Sequence, residues 1–194
     1  MRILIIILAS LIFQSSYSQE AGTKYTFKQV GWTIILPFDF TVMDSVDDAK
    51  MNESGKKSME DANGITADIS QTKTLISAKK NTYNYFNSTI TPFDPQIDGD
   101  YEISVKYVKD IVYKTYFDKM TDAKIDSSTT NVTIDGLSFD QFQVTVHVRD
   151  KLLFDMFILS KFYKGYSFGI TYLCLDVATK QQIESMLRTS KFDK

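Results

Sequence analysis

The sequence predicts an α+β protein in which helices pack on an antiparallel β-sheet. Near the carboxyl end, three apolar runs joined by short turns are typical of an antiparallel meander: 139–149, 152–163 and 166–175. In the middle of the chain, apolar residues recur at intervals of three and four from Tyr101 to Met120, as in an amphipathic helix. Strand patterns outnumber helical ones, so we expect the sheet to be the larger component.

Strand patterns also occupy the first half of the chain. They form two pairs of short β-prone runs, at 25–28 and 31–37 and at 74–80 and 83–91. The first pair ends at Pro37, because proline has no backbone donor for a strand ladder. The second pair ends in a stretch containing two prolines, Thr91 to Pro95, which predicts a loop.

A charged segment, Asp44 to Asn63, separates the two pairs of runs. We expect a short surface helix there, capped by Ser45. Its apolar positions are sparse, and Ser54 with Gly55 interrupts them, so the stripe that would face a core is weak. The pattern therefore predicts a mobile segment.

The last third of the chain has clear boundaries. The stretch from Asp126 to Thr133 is rich in hydroxyl side chains, and Asp135 with Gly136 predicts a turn just before the meander. After the meander, Asp176 is the expected N-cap of a final amphipathic helix. A short tail, Ser190 to Phe192, follows that helix.

The first residues indicate export. Arg2 precedes an apolar run, residues 3–13, that is shorter than the roughly 20 residues of a membrane-spanning helix. We expect a signal peptide at 1–18, cut after Ser18, and a single domain at 19–194 with no integral membrane segment. No cysteine stands near the cut to carry lipid, so the expected location is secreted or periplasmic.

Composition limits the classes of function. Cys174 is the one cysteine, so no internal disulfide can form and the domain must be held together by packing. The chain has 22 basic and 24 acidic residues with the two signs interspersed, which does not favour a nucleic-acid partner.

The layout resembles the PsbP-like superfamily, which includes the PsbP subunit of photosystem II, the Ran-binding Mog family and small exported bacterial proteins. Two groups of residues carry the resemblance, an opening hairpin and a closing strand, helix and tail: Tyr25, Phe27, Gly31, Trp32, Ile34, Leu36, Pro37 and Phe40, and then Gly165, Tyr166, Ile170, Tyr172, Ser190, Lys191 and Phe192. The resemblance spans Tyr25 to Phe192. It implies an α/β/α sandwich and a binding or assembly role without catalytic residues, and no Ran or photosystem site carries over.

Neither His147 nor Cys174 predicts catalysis. His147 is the one histidine, its strand neighbours Thr145 and Arg149 are not metal ligands, and a triad would need an acid beside it. We expect it on the polar face of a strand. Cys174 ends an apolar strand, so we expect a buried thiol rather than a nucleophile.

The densest group of oxygen ligands lies between Asp94 and Glu102 and includes Asp98, Gly99 and Asp100. Calcium binds in such loops, but the spacing is not that of an EF-hand. Acidic residues that favour the start of the helix near Tyr101 explain the same pattern. No metal or cofactor is predicted.

Carboxylates for glycoside cleavage would have to come from Asp39, Asp44 or Asp155. Asp155 stands inside an otherwise apolar strand. It is expected to be paired, opposite Arg149 or Lys161, or else to line a ligand pocket.

These patterns leave three hypotheses of function. The first is a non-enzymatic domain that binds a protein or an envelope component, with contacts at Asp44 to Asn63 and at Thr91 to Asp100. The second is a carboxylate-dependent hydrolase of glycan or cell-wall material, which requires a cleft lined by two acids. The third is a carrier of a small apolar ligand, which requires a cavity under the helices. Exposed tyrosines would favour a partner, and the candidates are Tyr83, Tyr85, Tyr107 and Tyr113.

Overall fold

The computed structural model describes residues 22–193, so the predicted signal peptide and its cleavage site lie outside the described residues. The strands are β1 (Gly22–Phe27), β2 (Trp32–Pro37), β3 (Thr41–Val42), β4 (Lys73–Lys79), β5 (Tyr85–Pro92), β6 (Ala123–Ile134), β7 (Leu137–Val148), β8 (Lys151–Tyr163), β9 (Tyr166–Cys174) and β10 (Lys191–Phe192). The helices are α1 (Ser45–Asn63), α2 (Pro95–Asp98), α3 (Tyr101–Lys119) and α4 (Val177–Thr189).

A seven-stranded antiparallel sheet, in the order β3-β4-β5-β9-β8-β7-β6, forms the middle layer. A small sheet, β1-β2-β10, packs with α4 against one face, and α3 packs against the other. The prediction of an antiparallel sheet covered by helices is confirmed. Among residues 22–193 no helix has the length and apolarity needed to cross a bilayer.

The larger core lies between the two sheets and is centred on Trp32. Its indole is fully buried and contacts the rings of Phe27, Phe168 and Phe192 at centroid distances of 5.5, 5.5 and 6.2 Å. The tail strand β10 reaches this core because the Asp135 carboxylate accepts hydrogen bonds from the Phe192 backbone N–H and from Lys191. Large aromatic side chains therefore stabilise this domain, which has no disulfide because the chain has a single cysteine.

The core on the other face is smaller and lies under α3. Val112 packs there on apolar residues that alternate along β7 and β8: Phe142, Val144, Val146, Phe154 and Met156. The alternation predicted for β7 is thus confirmed, and its second set of side chains faces the opposite side of the sheet.

Helix α1 differs from the expectation in its length and in its cap. It is 19 residues long and runs through Gly55, whereas a short helix interrupted there was predicted. Its cap is Asp44, not Ser45, since the Asp44 carboxylate accepts from the N–H groups of Val46 and Asp47. No side chain of α1 is buried.

Two further segments have a structure that differs from the predicted one. The hydroxyl-rich stretch from Asp126 to Thr133 belongs to β6, an edge strand of 12 residues paired along its whole length with β7. The predicted loop after β5 contains the one-turn helix α2, for which Asp94 is the N-cap.

Replacing Trp32 with Ala should lower the free energy of unfolding by about 3 to 5 kcal/mol, because a fully buried aromatic side chain would leave a cavity between the sheets. The control is Phe38→Ala just beyond β2, where a side chain that is 73% exposed should change stability by less than about 0.5 kcal/mol. Urea unfolding monitored by circular dichroism measures both. Equal losses for the two variants would contradict this description of the core.

Replacing the N-cap Asp176 with Ala should cost about 1 kcal/mol at pH 7, since its carboxylate accepts from the Thr179 N–H at 2.7 Å. That backbone hydrogen bond holds the pKa of Asp176 below its usual range, and the Thr179 hydroxyl adds to the effect. Because the folded-state pKa is the lower one, the carboxylate stabilises the fold above about pH 4 and this contribution is lost as the pH falls through the folded-state pKa.

Asp176→Asn is the matched variant, because an asparagine caps helices but does not titrate. Between pH 7 and pH 3, the unfolding free energy of the original protein should fall by more than that of this variant. A difference independent of pH would refute the assigned role of the charge.

Candidate functional site

A cavity of about 950 Å³ lies between α1, the last turns of α3 and the large sheet. Its floor is the sheet face formed by β4, β5, β9 and β8. Side chains alternate between the faces of a strand, so this floor is the reverse side of the Trp32 core. If α1 packed closely on the sheet, this space would be filled.

The floor is polar beneath α1. Cross-strand pairs place Lys79 beside Tyr85, Thr74 beside Thr89, and Asn87 beside Thr171. The Ser77 hydroxyl donates to the Tyr85 hydroxyl at 3.2 Å. Burial raises the pKa of Tyr85, so this phenol is neutral at physiological pH and can act as donor and acceptor.

The wall on the α3 side is apolar. This wall consists of side chains of α3, of Met120 just after α3, and of the part of the sheet that lies below α3: Val112, Tyr116, Met120, Met156, Ile158 and Leu173. Tyr116 is fixed there, with its ring 5.5 Å from that of Phe154 and its hydroxyl 3.3 Å from the Met156 sulfur. Two of the six are methionines, whose flexible and polarisable side chains adapt to ligands of different shape.

The composition of α1 explains why the space stays open. Nine residues of α1 line the cavity, and Met51 and Met59 are the large apolar ones among them: Asp47, Lys50, Met51, Asn52, Ser54, Gly55, Lys56, Ser58 and Met59. A helix collapses onto a sheet by burying an apolar stripe, and this one has almost none. A Cβ atom added at Gly55 would meet no other atom within 4 Å.

Helix α1 is instead held at its two ends. At the amino end, the Asp47 carboxylate lies 3.4 Å from the Lys79 ammonium of β4, and the Met43 N–H donates to the Ser77 carbonyl. At the carboxyl end, the Asn63 amide donates to the Ile111 carbonyl and to the Thr115 hydroxyl of α3.

The two ends of the cavity therefore differ in width. Where Asn63 meets α3 the helices are in contact. At the other end α1 is tied to β4 by Lys79, and α3 contacts β8 through Tyr116. Three strand spacings, or roughly 14 Å, separate β4 from β8, so the points at which the two helices are anchored diverge towards this end, which is the mouth of the cavity.

His147 lies on β7 and contributes to no site in the described part of the chain. Its Nδ1 atom is buried and has no hydrogen-bond partner among residues 22–193, and its cross-strand neighbours are Lys124 and Leu152. Neither of these neighbours is an acid that could complete a triad.

Cys174 is buried, as expected. It lies on the Trp32 side of the sheet, across from Asp155 on β8, and so does not face the cavity. Burial, with a smaller contribution from the Asp176 carboxylate, raises the pKa of the thiol to about 12.

Two of the acidic residues between Asp94 and Glu102, namely Asp94 and Asp100, are helix N-caps. Asp94 accepts from the Gln96 N–H and Asp100 from the Ile103 N–H, while Asp98 accepts from the Asp94 N–H. Within residues 22–193 no group of three or more His, Cys, Asp or Glu side chains is arranged to hold a metal ion.

The carboxylates considered for hydrolysis are dispersed. Asp39 pairs with Lys80 at 2.8 Å, and Asp44 caps α1. Asp155 accepts from Thr145 at 2.6 Å and lies 3.8 Å from Lys180, so the paired role is observed. Its partner is neither Arg149 nor Lys161, because Asp155 points towards α4.

The tyrosines considered as contact surface do not form one patch. Tyr83 and Tyr107 are exposed on different elements, while Tyr85 and Tyr113 are half-buried. Tyr85 belongs to the cavity floor. The sequence did not predict that the floor residues lie together, because they come from strands far apart in the chain.

The Cys174 thiol should resist alkylation in the native protein. A rise of its pKa from 9.0 to about 12 lowers the thiolate fraction near pH 8 roughly a thousandfold, and burial adds to the protection. Mass spectrometry after iodoacetamide treatment should show no adduct under native conditions and complete modification in 8 M urea. Rapid modification of Cys174 in the native protein would show that the end of β9 is accessible to solvent.

No protein-family model matches the chain. No curated protein matches it either. Solved structures do match: cyanobacterial PsbP (CyanoP) from Synechocystis sp. PCC 6803 superposes with a TM-score of 0.55 at 11% identity, over 92% of this chain and 96% of that one. A structure from Bacteroides thetaiotaomicron VPI-5482 gives a TM-score of 0.49 at 8% identity, over 89% of this chain and 49% of that one. Since the first likeness spans nearly the whole of both chains, the protein has a PsbP-like fold.

Proposed function

We propose that this protein is a non-enzymatic binding domain that holds a small, largely apolar molecule in the cavity beneath α1. The observation that carries the proposal is the cavity itself, with its volume of about 950 Å³, an apolar wall and a floor of hydroxyl and amide groups. The predicted signal peptide supports a role outside the cytoplasm.

The size of the cavity, which is open to solvent along part of its lining, suits a small-molecule ligand. Sites for small molecules typically measure about 300 to 1,000 Å³ and combine apolar walls with a few polar groups. This cavity falls within that range.

The wall supplies the driving force for binding. Each methylene group removed from water contributes about 0.8 kcal/mol, so a ligand's affinity should rise roughly fourfold for each methylene that reaches the wall. The floor groups at Asn87 and Thr171 then orient the polar part of the ligand.

The carboxylates at the cavity do not favour the hydrolase hypothesis. Glycoside cleavage generally uses two carboxylates across the scissile bond. Asp47 is the one acid among the lining residues, and it is paired with Lys79. A second, smaller cavity of about 330 Å³ beside α3 is also lined by a single acid, Asp110.

The neutral fluorophore N-phenyl-1-naphthylamine should bind with a fluorescence increase that saturates at one molecule per chain. In Thr171→Phe an aromatic ring on the floor should fill part of the cavity and weaken binding at least tenfold. Thr133→Phe is the matched control, since the same substitution on exposed β6 lies outside the cavity. It should leave the affinity unchanged.

Hydrogen exchange on the unmodified protein provides a readout that does not depend on the variants' folding. The bound fluorophore should slow exchange in α1, β5 and β9 and leave β1 unaffected. Absence of saturable binding, or equal weakening by both phenylalanine substitutions, would overturn the proposed function.

A further inference from the structure

We propose that the ligand is an acidic amphiphile: a single apolar chain ending in a carboxylate or a similar anionic group. This inference rests on the proposed function and specifies the chemical class of the molecule that the cavity holds. Three observations carry it, namely the charge of the lining, two lysines that form no ion pair within residues 22–193, and the position of those lysines.

The lining carries an excess of positive charge. Four lysines border the cavity and a single carboxylate does: Lys50, Lys56, Lys79 and Lys119, with Asp47. The chain as a whole has a net charge of −2, so this concentration of lysines is local. A cleft lined by one sign of charge with low-dielectric walls focuses the field on a ligand of opposite charge.

Two of these lysines have their charge matched within the protein. The Lys79 ammonium lies 3.4 Å from the Asp47 carboxylate, and the Lys56 ammonium lies 3.9 Å from the Glu60 carboxylate. Lys50 and Lys119 make no ion pair with any residue of the described chain. The acid that Lys50 influences is Asp44, whose carboxylate already accepts two backbone hydrogen bonds as the cap of α1.

Both unmatched lysines stand at the wide mouth of the cavity. Lys50 lies one turn after Asp47, which is tied to Lys79 at the end of β4. Lys119 lies one turn after Tyr116, which is bonded to Met156 of β8. Cross-strand pairing places Lys79, Tyr85, Leu173 and Met156 in one row across the sheet, so the two lysines flank the same end of the floor.

The mouth joins the apolar wall directly. Leu173 and Met156 form the apolar half of the row that the lysines flank, and Ile158 continues the wall one row further from the mouth. An extended chain lying on this wall would leave its head group at the mouth, between Lys50 and Lys119. Ammonium groups suit a compact anion there, because they act as mobile point charges.

Displacement of N-phenyl-1-naphthylamine by three amphiphiles of equal chain length tests the inference. Laurate, dodecanol and dodecyltrimethylammonium have twelve-carbon chains and head groups that are anionic, neutral and cationic, respectively. Below the critical micelle concentrations of the two ionic amphiphiles and the solubility limit of dodecanol, laurate should bind about fivefold or more tighter than dodecanol, and dodecyltrimethylammonium more weakly than both. Vesicles of phosphatidylglycerol form a further arm, in which the anionic head group belongs to a membrane; we expect no cosedimentation.

The double variant Lys50→Gln, Lys119→Gln should lower the affinity for laurate about fivefold and leave that for dodecanol within twofold. Its matched control is Lys28→Gln, Lys151→Gln, which removes the same charge from exposed positions away from the cavity. That control should bind laurate as the original protein does. All four side chains are exposed, so both variants should fold.

The outcomes separate this inference from the proposed function. Equal affinity for laurate and dodecanol, or an equal loss in both double variants, would overturn the acidic ligand and leave the binding function standing. Binding to vesicles without binding of free laurate would also overturn it. Failure of every amphiphile and of the fluorophore would instead overturn the proposed function.

Discussion

The organisation of this protein depends on one constraint, which is that α1 has too few apolar side chains to pack on the sheet. Most of the positions that line the cavity are polar, among them Asp47, Lys50 and Ser54, while Met51 and Met59 are apolar. The helix is fixed by polar contacts at its ends. Burying such a face dry would leave polar groups without partners, which costs more than the small apolar area could return. The helix therefore spans the sheet and leaves a space beneath it.

The two faces of the large sheet consequently serve different purposes. On one face, Trp32 and its aromatic neighbours fill the interior and provide stability without a disulfide. On the other, the polar strands β4 and β5 lie under α1 and the apolar strands β7 and β8 under α3. The polar side chains of α1 thus face the polar side chains of β4 and β5. The cavity lies where this polar half of the sheet meets the apolar half under α3. Because the closely packed face provides the stability of the domain, the other face can remain open.

The sequence predicted the fold well where one residue pattern suffices, as in α3, α4 and the meander β7 to β9. It missed β6 because Asp126 to Thr133 lacks alternating apolar residues, and that strand is specified by its backbone pairing with β7. The weak stripe of α1 was correctly identified but interpreted as mobility. Its consequence, a cavity, depends on Tyr85, Asn87 and Thr171, which long-range strand pairing brings together.

The reactivity of a cysteine placed on the cavity floor tests this account most directly. The native Cys174 is buried and should not react, so it does not interfere with the measurement. Thr171→Cys should react with methyl methanethiosulfonate within about tenfold of the rate of exposed Thr133→Cys, and saturating N-phenyl-1-naphthylamine should slow the floor position alone. A floor cysteine as inert as Cys174 in the folded protein would mean that α1 lies flat on the sheet and that no cavity exists.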